Sequence, residues 1–148
     1  MIEEKLRVRL KEALKKGASA EATTLRGLLA ALANERIAKR GQLSEEDEVR
    51  VLLREKKKRE EAIELYRRGG RKDLVEKEEG ERRLIEEFLP KMLGEEEVRK
   101  EVEVVVAEMG EGAAFGPVMG RVMAKLRGKA EGSLVSRIVK EVLAQGER

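Results

Sequence analysis

Apolar residues recur along this chain at intervals of three and four, the spacing that lines one face of an α-helix. Ile2, Leu6, Leu10, Ala13 and Leu14 define a first helix over about residues 2–15, with Gly17 as its stop. A second begins near Ser19, a residue suited to the N-cap, and carries Leu25, Leu28, Leu29 and Leu32 on its inner face. It closes around Arg40, with Gly41 expected to take the left-handed conformation that ends many helices. Ser44 caps a third, and Glu45, Glu46 and Asp47 follow in the first turn, where the helix dipole favours acids. Val49, Leu52 and Leu53 start its stripe, which resumes at Ile63 and Tyr66 before Gly69-Gly70 breaks the helix. A fourth spans residues 71–88 on Leu74, Leu84, Ile85 and Phe88. Leu89-Pro90 ends it, because proline has no N–H and pushes the preceding residue out of the α region.

Beyond a boundary near residues 90–95 the stripes shorten. Val98, Val102, Val105 and Met109 line one helix. Val118, Met119, Val122, Met123 and Leu126 line the next, with Pro117 expected at its favoured first position. Leu134, Val135, Ile138, Val142 and Leu143 line the last. The pattern predicts an all-α protein: a helical N-terminal domain of about four helices over residues 1–92, then a three-helix bundle over 93–148.

Composition supports that class and removes several chemistries. The 148 residues allow one domain or two small ones. Aromatic residues are 2% of the chain, only Tyr66, Phe88 and Phe115, too few for a sandwich or barrel. Cysteine and histidine are absent, which excludes a disulfide framework, a Cys/His zinc site, a cysteine nucleophile and a Ser-His-Asp triad. No catalytic residue, metal ligand or cofactor site emerges. The start Met1-Ile2-Glu3-Glu4-Lys5 lacks the positive charge and apolar core of a secretory signal, and no later run is long enough to span a membrane, so a cytoplasmic location is expected. Abundant Glu, Lys and Arg beside a single Asn resembles the composition of proteins from hot-growing organisms.

Charge matters more by its distribution than by its net value of +3. Arg54-Glu55-Lys56-Lys57-Lys58-Arg59-Glu60-Glu61 is charged without a break; such a run on a helix is ordinarily a solvated face laced by pairs such as Lys57 with Glu61. Residues 95–111 are acidic, with Glu95, Glu96, Glu97, Glu101, Glu103, Glu108 and Glu111 against Arg99 and Lys100. Residues 117–140 are the reverse: Arg121, Lys125, Arg127, Lys129, Arg137 and Lys140 against Glu131 alone. Gly110, Gly112, Gly116, Gly120, Gly128 and Gly132 crowd the same region, yet neither standard nucleotide-loop spacing occurs among them. Helix stops at Gly110 and Gly128 and a close helix approach at Gly120 account for most of them. The Arg127-Gly128-Lys129 turn is expected to offer basic side chains and free backbone N–H groups to an anion.

Met119-Gly120-Arg121-Val122-Met123, then Lys125-Leu126-Arg127-Gly128-Lys129-Ala130-Glu131-Gly132, resembles the signature of the YqeY family. Tyr66 to Leu74, with Gly69-Gly70 at its centre, and Ile85-Glu86-Glu87-Phe88-Leu89-Pro90 fit the same family. Lys129, Glu131 and Phe88 stand where the family pattern has Arg, Asp and Tyr. That family is similar to the tail domain of the B subunit of the glutamine-dependent tRNA amidotransferase. The resemblance implies a three-helix tail of the kind that contacts tRNA, without the enzyme's chemistry. The serines here, Ser19, Ser44, Ser133 and Ser136, are scattered and do not form an amidase constellation.

The expected function is therefore a non-catalytic RNA-binding module, with tRNA as the expected partner and Arg121, Lys125, Arg127, Lys129, Arg137 and Lys140 as phosphate ligands. Five or six such contacts imply a log-log salt slope of about −4 to −5. With so few rings, stacking should add little, and recognition should follow backbone shape with no DNA sequence readout. Two alternatives remain: an accessory protein of a glutamine-dependent amidotransferase, which would carry a carbon-nitrogen ligase label by homology, and an adaptor for a protein partner.

Overall fold

The computed structural model describes residues 1–146, which contain seven α-helices and no strand. They are α1 (Ile2–Lys16), α2 (Ser19–Lys39), α3 (Glu45–Arg68), α4 (Lys72–Phe88), α5 (Glu95–Met109), α6 (Phe115–Leu126) and α7 (Gly132–Gly146). Contacts gather them into two compact units. Met1–Leu89 holds α1 to α4, and the chain from Pro90 onward holds α5 to α7.

Each unit has its own core. Leu6, Leu25, Leu28, Leu32, Val51, Leu52 and Ile85 are fully enclosed in the first. The second is built largely from valine, with Val98, Val102, Val105, Val118, Val122, Val135 and Val139 around Ile138. Valine is stiff at χ1 and a weaker helix former than leucine, so these short helices depend on packing for their helicity. Tyr66, which the sequence places on the apolar stripe of α3, is half-buried outside both clusters.

Three of the helix ends share one hydrogen-bonding device. Gly17 (φ 71°), Arg40 (φ 59°) and Gly70 (φ 70°) each adopt the left-handed conformation. The following residue reaches back five positions: Ala18 N–H to Ala13 O at 2.9 Å, Gly41 N–H to Arg36 O at 3.3 Å, Arg71 N–H to Tyr66 O at 2.9 Å. At α2 the left-handed residue is thus Arg40 rather than the expected Gly41; glycine sits one place further on, where it only donates. Ser19 does not cap α2 either. It is the first helical residue, Ala18 precedes it without a side-chain cap, and the Ser19 carbonyl accepts from the Thr23 hydroxyl. Leu89 is extended (φ −80°, ψ 145°), as a residue before proline must be.

The start of α3 is the best-satisfied terminus. Ser44 Oγ accepts the Asp47 N–H at 3.1 Å, and an Asp47 carboxylate oxygen accepts the Ser44 N–H at 2.9 Å, a reciprocal capping box. Lys39 and Arg50 both reach the same carboxylate. The Lys39 ammonium, then the Ser44 backbone, hold Asp47 far below the ordinary carboxylate range. Next to it Glu48 is 2% exposed and accepts the Ile2 N–H at 3.4 Å and the Glu3 N–H at 2.9 Å. A carboxylate on α3 therefore closes the N-terminus of α1, where the helix dipole favours negative charge.

Pro117 is the third residue of α6, not the first, because the helix begins at Phe115. Either place suits proline, since first-turn N–H groups have no intrahelical acceptor.

Candidate nucleic-acid interface

Helix α6 turns Val118, Val122 and Leu126 inward at intervals of four, which fixes the direction of everything between them. Arg121 and Lys125 fall one turn apart on the outer side and are exposed. The chain then leaves the helix at Arg127 (φ −58°, ψ 126°) and reverses at Gly128, whose φ of 77° strongly favours glycine. Arg127 and Lys129 flank that glycine, both exposed.

Backbone hydrogen bonds hold this turn from within. Arg127 N–H donates to Met123 O at 2.9 Å, and Lys129 and Ala130 N–H both donate to Leu126 O, at 2.8 and 3.1 Å. The Lys129 carbonyl accepts from the Leu93 N–H at 2.8 Å, while Ala130 is buried beneath. The expectation of free backbone N–H groups at Arg127 and Lys129 is thereby overturned: the chain itself has taken them. At those two positions the turn offers an anion its side chains.

Arg121, Lys125, Arg127 and Lys129 make no ion pair or side-chain hydrogen bond among the described residues. Sequence explains why. Between Glu111 and Glu131 there is no acidic residue at all, so these four are the only charges over residues 112–130.

The two cations expected from α7 are placed differently. Arg137 lies in a closed ring of four charges that ties α5 to α7. It meets Glu95 at 3.3 Å and Glu141 at 2.9 Å, and Arg99 meets the same two carboxylates, Glu95 at 3.5 Å. Arg137 and then Arg99 lower the Glu95 pKa, and Arg99 and then Arg137 lower that of Glu141. Glu95 leads the causes that raise Arg137, and Glu141 those that raise Arg99. Lys140 stands with its ammonium 5.6 Å from the centre of the Phe115 ring, a cation-π contact. Four of the six candidate residues thus reach solvent unengaged, and two are held by neighbours.

Gly120 does not mark a close helix approach. A Cβ added there would meet nothing within 4 Å, and Gly116 is equally open. Gly110 does end α5 with φ 71°. The charged run on α3 is paired more widely than its own helix allows: Arg54 with Glu35 of α2 at 2.7 Å, Lys56 with Glu86 of α4 at 3.9 Å, and Lys58 and Arg59 with Glu55. Lys57 and Glu61, the pair expected from spacing, do not join among the described residues.

Sequence inspection missed Phe115 as a surface group, Glu95 as a partner of Arg137, and Arg99 as the second cation on the same two carboxylates. Glu141, four residues after Arg137, was visible at helical spacing. No group of three or more carboxylate, imidazole or thiol side chains able to hold a metal occurs among the described residues.

These features define a class: a two-unit, all-helical protein whose second unit exposes unpaired cations on a helix and the turn after it. The chain belongs to the YqeY family, whose model, described as Yqey-like protein, matches residues 3–143. No curated protein matches it.

Proposed function

We propose that this member of the YqeY family is a non-catalytic RNA-binding module whose ligand is tRNA or a similarly folded RNA. The observation that carries the proposal is the unpaired, exposed set Arg121, Lys125, Arg127 and Lys129 in a stretch without acids. Unpaired cations at a surface neutralise phosphates without first breaking an internal pair, and each contact releases a condensed counterion. Arg127 and Arg121 offer planar forks suited to phosphate, and Lys125 and Lys129 offer point charges. The likeness of the family to an amidotransferase tail domain supports tRNA as the class of RNA. Because Arg137 is held in its ring, four contacts replace the five or six expected from sequence, which gives a salt slope of about −3 to −4.

In this reading the chain works in the cytoplasm; no helix among the described residues is long and apolar enough to cross a membrane. It supplies no amide-transfer chemistry, and release of ammonia from glutamine by the purified chain would overturn that part. The test of binding is a filter-binding titration of tRNA at two salt concentrations, with the wild type and the double variant Arg127→Glu, Lys129→Glu. Salt-sensitive binding that the variant loses is expected. Absence of binding at low salt, or binding that the variant keeps, overturns the proposal.

A further inference from the structure

Phe115 is an uncommon residue for its place. It is one of only three aromatic residues in the chain, it opens α6, and it is 39% exposed, within the same acid-free stretch as the four unpaired cations. Its sequence neighbours are all small or compact: Gly112, Ala113, Ala114, Gly116 and Pro117. Around Gly116 there is open space where even a Cβ would touch nothing. No bulky side chain adjacent in sequence fences the ring, and its 39% exposure leaves part of it in contact with solvent. The Lys140 ammonium stands 5.6 Å from the ring centre.

We propose that Phe115 is a stacking platform for one unpaired nucleobase, with Lys140 as the cation that receives that nucleotide's phosphate. The inference rests on the RNA-binding reading and deepens it: the ligand surface includes a single-stranded or looped-out nucleotide beside a backbone segment held by Arg121, Lys125, Arg127 and Lys129. An exposed cation-π contact is weaker than a base stacked on an aromatic ring, so a base displaces the ammonium at a net gain. The displaced ammonium stays tethered within reach of the incoming phosphate. This reverses the expectation that stacking contributes little, because that expectation counted rings and not their exposure. A duplex cannot use the platform, since its bases are stacked on each other; an RNA loop can.

The chain has no tryptophan, so Phe115→Trp introduces a single fluorophore at the platform. The experiment titrates that variant, the wild type, Phe115→Leu and Phe115→Ala with a single-stranded RNA and with an RNA duplex of equal length at low salt. Quenching of the Trp emission by the single strand, and at least a fivefold loss of single-strand affinity in Phe115→Leu with duplex affinity unchanged within twofold, are the expected results. Phe115→Leu keeps apolar volume, so its loss is not one of folding; matching unfolding temperatures for wild type and this variant confirm that. Equal effects on both RNAs, or an unquenched Trp with unchanged single-strand affinity, overturn the platform while leaving the RNA reading intact. If the wild type binds neither RNA, both fall together.

Discussion

The charged run of α3, residues 54–61, and the basic stretch of residues 121–129 are equally conspicuous in the sequence, and the structure treats them in opposite ways. In the first, acids are interleaved with bases, and Arg54, Lys56, Lys58 and Arg59 all find carboxylates on α2, α3 or α4. Those charges serve the helix packing of the first unit. In the second, no acid lies between Glu111 and Glu131, and the four cations find no partner among the described residues. Density of charge therefore says little about function. What separates the two runs is whether the counter-charge is supplied by the protein or left to something else.

The largest expected effect tests that distinction. Reversing Arg121, Lys125, Arg127 and Lys129 to Glu should weaken RNA binding at low salt by about 100-fold or more, since each change removes an attraction and adds a repulsion. Reversing Lys57 and Lys58 in the α3 run should change affinity by about twofold at most, read in the same titration. Equal losses from the two sets would erase the contrast between the units.

A smaller effect concerns how the first unit uses its acids. Removing the buried carboxylate in Glu48→Ala leaves the Ile2 and Glu3 N–H groups without an acceptor and should cost about 1–3 kcal/mol in denaturant unfolding, without touching RNA affinity. A variant as stable as the wild type would show that Glu48 does not close α1.

Acid sharpens the comparison by its direction. The carboxylates of Glu95, Glu141 and Asp47 all have lowered folded pKa values, so their contributions are complete above the unfolded values and fade as pH falls through the folded ones. The ring in the second unit should begin to weaken as pH drops below the ordinary glutamate value near 4.5, and the more strongly depressed Asp47 in the first should hold to lower pH. Unfolding midpoints measured in steps from pH 7 to pH 3 check this; Glu141→Gln should flatten the acid limb, and an unchanged limb would contradict the ring's role.

Much of this architecture was written in periodicity. Seven apolar stripes, the stops at Gly17 and Gly69-Gly70, the Ser44 cap and the Leu89-Pro90 ending depend on residues close in the chain, and sequence shows such relations directly. The exceptions share a cause. Arg40 takes the left-handed position because α2 runs to Lys39, and no local rule distinguishes a close at residue 40 from one at 41. Replacing it by glycine should stabilise the first unit by about 0.5–1 kcal/mol in thermal unfolding, the smallest stability effect expected here. Of the two partners that remove Arg137 from the free cations, Glu141 lies at helical spacing and is legible, whereas Glu95 lies 42 residues away, a relation only packing creates. The exposure of Phe115 was hidden for the same reason, since sequence counts rings without saying which are covered. The exposure of Arg121 and Lys125 was legible, because Val118, Val122 and Leu126, between which they lie, fix the inner face.

The most direct measurement is the salt dependence of tRNA affinity for three proteins: the wild type, a variant with Arg121, Lys125, Arg127 and Lys129 all changed to Ala, and Arg137→Ala. The predicted log-log slopes are about −3 to −4 for the wild type, close to that for Arg137→Ala, and about −1 or shallower for the fourfold variant, which keeps only Lys140. A fourfold variant with the wild-type slope, or a wild type that does not bind at low salt, would contradict the claim that these four side chains are left unpaired for phosphate.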